Sequence, residues 1–238
     1  YLTSITEKIK KRLLNELLTK GIDHKKFKKT EIGEIPETWD VKSLGSLFKL
    51  ERGLSYNSKG IDPKGIPMIN LGTIKAYGGF NETGLKFWGG KYNSSQLIKK
   101  GELVIANTDI TRNLIVLGYP SRIPSNINSD KILFSHHIYA IRELQFVETD
   151  FLELLLKSPI YHKKIVNFAS GTTVFSVSKK DVYSIKVPLP KKAEQKLIVE
   201  KFKLCEEYLI SLNNLIKDTK NLRNKLSNEL LKGELRLD

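Results

Sequence analysis

The stretch Pro188-Leu189-Pro190-Lys191-Lys192-Ala193-Glu194-Gln195 opens a run that meets no further Pro or Gly until Gly233. Within that run Ile198, Phe202, Cys205, Leu209, Leu212 and Ile216 step by 4, 3, 4, 3 and 4, the alternation of a heptad seam rather than of an ordinary surface helix. The seam loses register at Thr219 and Arg223, and Leu222, Leu226 and Leu230 resume it. One helix of about 40 residues is predicted, about 60 Å long at 1.5 Å per residue. That is more than one compact domain covers, so the apolar stripe calls for a partner helix.

A candidate partner stands at the other end of the chain. Leu2, Ile5, Ile9, Leu13 and Leu17 are spaced 3, 4, 4 and 4, which predicts a helix over residues 2–20 that ends at Gly21. Its tail, Arg12-Leu13-Leu14-Asn15-Glu16-Leu17-Leu18-Thr19-Lys20-Gly21, parallels Lys225-Leu226-Ser227-Asn228-Glu229-Leu230-Leu231-Lys232-Gly233. Asn-Glu-Leu-Leu recurs, each time close to a Gly suited to a C-cap. Four identities among common residues also arise by coincidence. Taken as a repeat, they describe one full unit preceded by the tail of another. The first residue is Tyr, so the native start is expected to be missing.

A basic linker leads from Gly21 to Thr30, and Gly33-Glu34-Ile35-Pro36-Glu37-Thr38-Trp39 then offers an irregular start and a large apolar anchor. Residues 67–71, 103–107, 114–117 and 132–141 read as strands between Gly-marked turns. Residues 151–157 read as a helix capped by Thr149 or Asp150, Pro159 as the start of another to about Phe168, and residues 185–187 as a short strand. The expected fold is α+β: a strand-rich domain over residues 22–190, a shorter amino-terminal helix over 1–21 and a long coiled-coil helix over 191–238.

The net charge of +14 suggests a polyanionic partner. It is spread along the chain, +6 on residues 1–29, +5 on 30–190 and +3 on 191–238. Nucleic acid is favoured over an acidic membrane surface, because no amphipathic helix with an aromatic apolar face is apparent. No apolar run approaches the roughly 18 residues needed to span a bilayer. The lone Cys205 falls on the seam as a small hydrophobe, and without a disulfide framework the cytoplasm is the expected compartment.

Signs of catalysis are few. Neither a Walker A sequence nor G-x-G-x-x-G is present, and there is no G-x-S-x-G elbow. His136 and His137 are neighbours on an expected strand, so they should face opposite ways, one buried and one exposed, and no metal site is expected. Glu194-Gln195-Lys196 has the acid-x-lysine form of many nucleases, with Asp181 upstream. Glu194 opens a helix, where an acid is favoured by the dipole, rather than a strand edge. An Asn/Asp-Pro-Pro-aromatic motif for base methylation is also missing. Binding is what remains.

The segment 33–39, the loop Ser170-Gly171-Thr172 some 20 residues before Pro188-Leu189-Pro190, and Glu194-Gln195 with Ile198 at the start of a long helix together resemble the specificity subunit of type I restriction-modification systems. The resemblance covers nearly the whole chain. It implies a target recognition domain that grips one half of a bipartite sequence in double-stranded DNA. The helices act as an antiparallel spacer and as a docking surface for methyltransferase (modification) subunits, with a restriction motor subunit in the full complex. S-adenosylmethionine, ATP and Mg would bind those partners, leaving this chain without cofactor or metal. A complete subunit carries two such domains. This chain has one, so the second half is expected either in the same longer chain or from a homodimer.

Under that resemblance polar loops should meet the DNA. Asn107-Thr108-Asp109-Ile110-Thr111-Arg112-Asn113 supplies Asn107, Thr108, Arg112 and Asn113, with Asn suited to adenine and Arg to guanine; the plain reading is a solvated hairpin turn. Asn70, Thr73, Lys75 and Tyr77 form a second candidate loop, against ordinary strand polarity. Ser170, Gly171, Thr172 and Thr173 with Lys179 and Lys180 suit the phosphate backbone, against a structural turn. The alternatives are a nuclease or methyltransferase fragment and a coiled-coil adaptor with no DNA role.

Overall fold

The computed structural model describes residues 2–232, with side chains from Ile5 onward; Gly233, expected as a C-cap, and the Leu2 side chain lie outside the described residues. Helix α1 (Leu2–Thr19) precedes the hairpin β1 (Phe27–Thr30) and β2 (Gly33–Pro36). Strands β3 (Asp40–Ser43), β4 (Lys49–Arg52), β5 (Ile61–Ile69), β6 (Lys86–Trp88), β7 (Leu103–Ala106), β8 (Thr108–Asp109), β9 (Pro120–Arg122), β10 (Leu133–Phe134) and β11 (Ile138–Arg142) follow. Then come α2 (Thr149–Lys157), α3 (Pro159–Val166), β12 (Phe175–Ser176), α4 (Lys179–Ser184), β13 (Lys186–Leu189) and α5 (Lys192–Leu231). This is the α+β architecture expected, with the long helix in place.

The central sheet runs β4-β11-β7-β9, all antiparallel. Leu103, Ile105, Tyr139 and Ile141 enter one core while Val104, Ala106, Ile138 and Ala140 enter another. Both faces of β7 are therefore covered, which is why it reads as an unbroken apolar run. A second sheet, β10-β5-β6, pairs β10 parallel to β5. The larger core crosses both positions at which the sequence divides: Leu14, Leu17 and Leu18 of α1 share it with Trp39, Phe151, Ile198 and Phe202.

Two strand expectations need correction. Residues 132–141 are not one strand; the chain turns at His136 and His137 as it passes from the sheet of β10 to that of β11. The two histidines do not alternate, and both are half-buried with ring centroids 4.0 Å apart. Residues 114–117 are irregular rather than extended. The buried Asp109 explains this: its carboxylate accepts from the amides of Thr111 (2.6 Å), Val116 (2.7 Å) and Leu117 (2.8 Å), curling the segment around one side chain.

Helix α1 lies antiparallel on the first half of α5. Gly21, just past α1, meets Glu194 at the start of α5, and Lys10 Nζ lies 3.1 Å from Glu206 Oε1. The packed face of α1 is Leu14, Leu17 and Leu18 with Thr6, whereas Ile5 and Ile9, expected on it, are exposed. Spacings of four drift around a helix of 3.6 residues per turn, so the five-residue stripe does not stay on one line. On α5, Ile198, Phe202 and Leu209 are buried and Cys205 and Ile216 half-buried. Leu212, Leu222, Leu226 and Leu230 are exposed, by 36% to 59%. The proximal seam of α5 thus packs on α1, and the distal seam is exposed among the described residues.

Candidate nucleic-acid interface

The Glu194-Gln195 pair is structural. Trp39 Nε1 donates to Glu194 Oε2 at 2.8 Å, and Glu194 Oε1 accepts from the Ile22 amide at 3.4 Å and lies 2.7 Å from His24 Nε2. Gly21 has φ +65°, and a Cβ there would stand 2.6 Å from Glu194 Oε1 and 2.7 Å from the Trp39 ring. Only Gly fits that corner. Gln195, fully buried, accepts from the Glu148 amide (2.7 Å) and donates to the carbonyls of Phe146 (3.0 Å) and Pro190 (2.8 Å). The acid-x-lysine segment therefore joins α1, Trp39 and α5, and its carboxylate is already occupied. Among the described residues no group of three or more His, Cys, Asp or Glu is arranged to hold a metal.

The exposed chemistry gathers at the far side of the sheet. Strand β8 pairs with β12, setting Asp109 opposite Phe175 and Thr108 opposite Ser176. Loops 110–113 and 170–174, some 60 residues apart in sequence, are thereby neighbours. Between them and the turn 70–84 runs an open groove of about 760 Å³, lined among others by Tyr56, Lys86, Thr108, Ile110, His137 and Val174. Arg112 and Asn113 are exposed beside it, as are Thr172 and Thr173. Ser178 caps α4, its Oγ accepting from the Asp181 amide at 3.1 Å, and this presents Lys179 and Lys180 in the first turn.

A lysine and aromatic rings meet in this largely apolar groove. Lys86 Nζ lies 5.0 Å over the Tyr56 ring and 3.0 Å from its hydroxyl, and Tyr56 stands edge-on to His136 and His137. Burial, reinforced by His136, Arg52 and Lys86, holds His137 below the usual histidine range. A neutral imidazole has one donor and one acceptor and is thus directional. Its Nδ1 is 3.2 Å from Thr108 Oγ1, which leaves Nε2 for a ligand. Lys179 Nζ sits 5.8 Å over the Tyr139 ring, whose hydroxyl burial pushes upward in pKa. Such a mixture of cations, hydroxyls, amides and rings can neutralise phosphates and hydrogen-bond base edges.

The family model described as the type I restriction modification DNA specificity domain matches residues 36–221, from the end of β2 into the distal part of α5. The chain belongs to that family. This specificity domain is 28% identical, over 98% of its length, to the type I restriction enzyme MjaVIII specificity subunit of Methanocaldococcus jannaschii, and covers 55% of that protein. It is 30% identical to the putative MjaX specificity subunit of the same organism, covering 98% of this chain and 52% of that one. The chain thus spans about half the length of these curated relatives. Its fold matches the crystal structure of the HsdS subunit from Thermoanaerobacter tengcongensis with a TM-score of 0.63 at 16% identity, over 98% of this chain and 52% of that one.

The residues singled out in the specificity domain separate into three groups. Thr108, Arg112, Asn113, Gly171, Thr172 and Thr173 are brought together by the β8–β12 pairing, with Ser170 at the base of its loop. Asn70, Thr73 and Asn107 are buried. Asn70 Oδ1 accepts from the Gly72 amide, its Nδ2 donates to the Met68 and Gly84 carbonyls, and Thr73 Oγ1 bonds Asn70 in return, so this pair shapes a turn at the edge of the groove that Asn70 lines. Asn107 Nδ2 donates to the His136 carbonyl. Lys75 is exposed, but Tyr77 turns toward α1, with Lys11 Nζ 5.2 Å over its ring, and lines a different cavity. Sequence reasoning missed Tyr56, Lys86 and His137. In the sequence His137 stands out only beside His136 as a possible metal ligand, and nothing local marks the other two, because the groove forms only when β5, β6 and β8 assemble.

Proposed function

We propose that this chain is the DNA-reading, non-catalytic half of a type I specificity subunit, contacting one half of a bipartite duplex target through the groove beside β8 and β12. The observation that carries this is the joining of two polar loops, 110–113 and 170–174, at a groove holding Lys86, Tyr56 and His137 in a chain of net charge +14. Arg112, Lys179 and Lys180 set the register on phosphates or guanine, and Thr108, Asn113 and His137 read base edges. The nuclease reading is disfavoured because Glu194 is held by Trp39, Ile22 and His24.

The assembly we propose places modification (methyltransferase) subunits and a restriction motor subunit on the helical side, in the cytoplasm. S-adenosylmethionine, ATP and Mg bind there and not on this chain. A second recognition half, in the same longer chain or a second copy, supplies the other half-site. The support is internal: Leu17 and Leu18 of the repeated Asn-Glu-Leu-Leu are buried, while their counterparts Leu230 and Leu231 are 39% and 85% exposed. The distal end of α5 thus presents the residues by which α1 docks.

Binding of this chain to duplex DNA, followed by fluorescence anisotropy across a salt series, tests the reading. Affinity should fall steeply with salt, as counterion release requires, and a selected sequence should outcompete random duplex. Arg112→Ala should weaken the selected sequence by about 1–3 kcal/mol if Arg112 reads a base, and all duplexes alike if it meets a phosphate. Salt-independent binding, or no preference for any sequence, would count against the proposal.

A further inference from the structure

The groove has apolar walls that include Leu71, Ile74, Leu85 and Val116, and two further apolar side chains, Ile110 and Val174, stand exposed beside it. Ile110 is 68% exposed and Val174 47% exposed, and both line the same groove although they come from loops 64 positions apart. Single exposed apolar residues are ordinary on a protein surface, but these two are held outward by their backbones. Ile110 sits inside the turn that the Asp109 carboxylate closes through the amides of Thr111, Val116 and Leu117. Val174 sits inside a loop closed by reciprocal backbone bonds between Ser170 and Ser176, of 3.0 and 2.8 Å. That loop folds back so tightly at Gly171, φ +119°, that a Cβ there would lie 2.2 Å from the Val174 carbonyl oxygen.

Resting on the DNA-reading function above, we infer that Ile110 and Val174 form a specificity contact for the C5-methyl group of a thymine in the half-site. The major-groove edge of a base pair presents donors and acceptors everywhere except at that methyl, its only apolar feature. An apolar pair flanked by cations suits such an edge: Lys86 lines the groove and Arg112 is exposed on the same loop as Ile110. The charge around the pair favours a polyanion over an apolar peptide or a lipid. The pair adds discrimination, while the cations add affinity.

The test uses this chain to select its preferred duplex from a random library, then remakes that duplex with each thymine in turn replaced by uracil. Uracil lacks only the C5-methyl. Binding should weaken about four-fold at one or two positions, the effect of withdrawing one buried methyl from apolar contact. Ile110→Ala or Val174→Ala should erase that penalty at the same position, so that the thymine and uracil duplexes bind the variant alike. Uracil tolerated at every position, a selected sequence without thymine, or a penalty that persists in both variants would overturn the thymine contact and leave the DNA reading standing. Failure to select any sequence would overturn the DNA reading itself, and the contact with it.

Discussion

Glu194 and Gln195 differ by one atom in each side chain, yet the junction uses each in a way the other cannot serve. Glu194 offers two oxygens, one to the Trp39 indole and one to the Ile22 amide and His24. Glu194→Gln keeps one acceptor and should cost about 1–2 kcal/mol, and Glu194→Ala, which leaves every donor unmet, about 3 kcal/mol. Gln195→Glu should be at least as damaging as the alanine change, because its new oxygen would face the carbonyls of Phe146 and Pro190 in a fully buried site. Urea unfolding with unchanged slope measures all three; equal midpoints for Gln195→Glu and the parent chain would refute this account. The sequence showed Glu194 as an acid favourable to a helix start, and that was right about position and blind to its partners. Asn70 shows the same limit in reverse. Its residue type suits adenine, but nothing in the local sequence tells that its amide turns inward to Met68 and Gly84.

Among the elements, α2 is clamped to its surroundings by charge as well as by its apolar face. Glu153 accepts from Arg122 Nε at 2.8 Å and from Lys157 Nζ at 2.6 Å, and Asp150 pairs with Arg122 of β9 and Lys203 of α5. Burial would raise the Glu153 pKa, but Lys157 and Arg122 outweigh it and hold the carboxyl below its ordinary 4.5. Asp150 is also held low, by Lys203 first, though its exposure to solvent dilutes the benefit. A folded-state pKa below the unfolded value gives stability that is present above the unfolded value and lost as pH falls through the folded one. The acid limb of the stability curve should therefore begin near pH 4.5, and Glu153→Gln should flatten it while lowering stability at neutral pH. Urea midpoints between about pH 3 and 7 decide the matter; an acid limb of unchanged slope in the variant would exclude Glu153 as a contributor. Long periodic elements such as α1 and α5 were legible because their pattern repeats over many turns. Residues 114–117 were not, because a single buried carboxylate upstream of them, Asp109, outweighs the strand preference of Leu-Ile-Val-Leu by taking the amides of Val116 and Leu117.

At the scale of the whole molecule, entrance and exit of the recognition domain coincide. β3 pairs antiparallel with β13, setting Asp40 opposite Leu189, so the domain closes on itself beside the point where α1 ends and α5 begins. Among the described residues Lys10 reaches Glu206 and Gly21 reaches Glu194, so the contacts of α1 fall on the first half of α5, and the distal extension of α5 to Leu231 carries the exposed Leu222, Leu226 and Leu230. If that extension pairs with a second recognition half, as proposed, its length sets the distance between the two DNA-reading grooves. Deleting residues 217–223, one heptad, keeps the seam in phase and shortens the helix by about 10 Å, about three base pairs at 3.4 Å each. Expressed with its modification subunits, the shortened protein should methylate a target whose two half-sites are unchanged and whose gap is smaller by about three base pairs. Sequencing of methylated sites reads half-sites and gap together. The same half-sites at the original gap would show that α5 joins the two halves without measuring the distance between them.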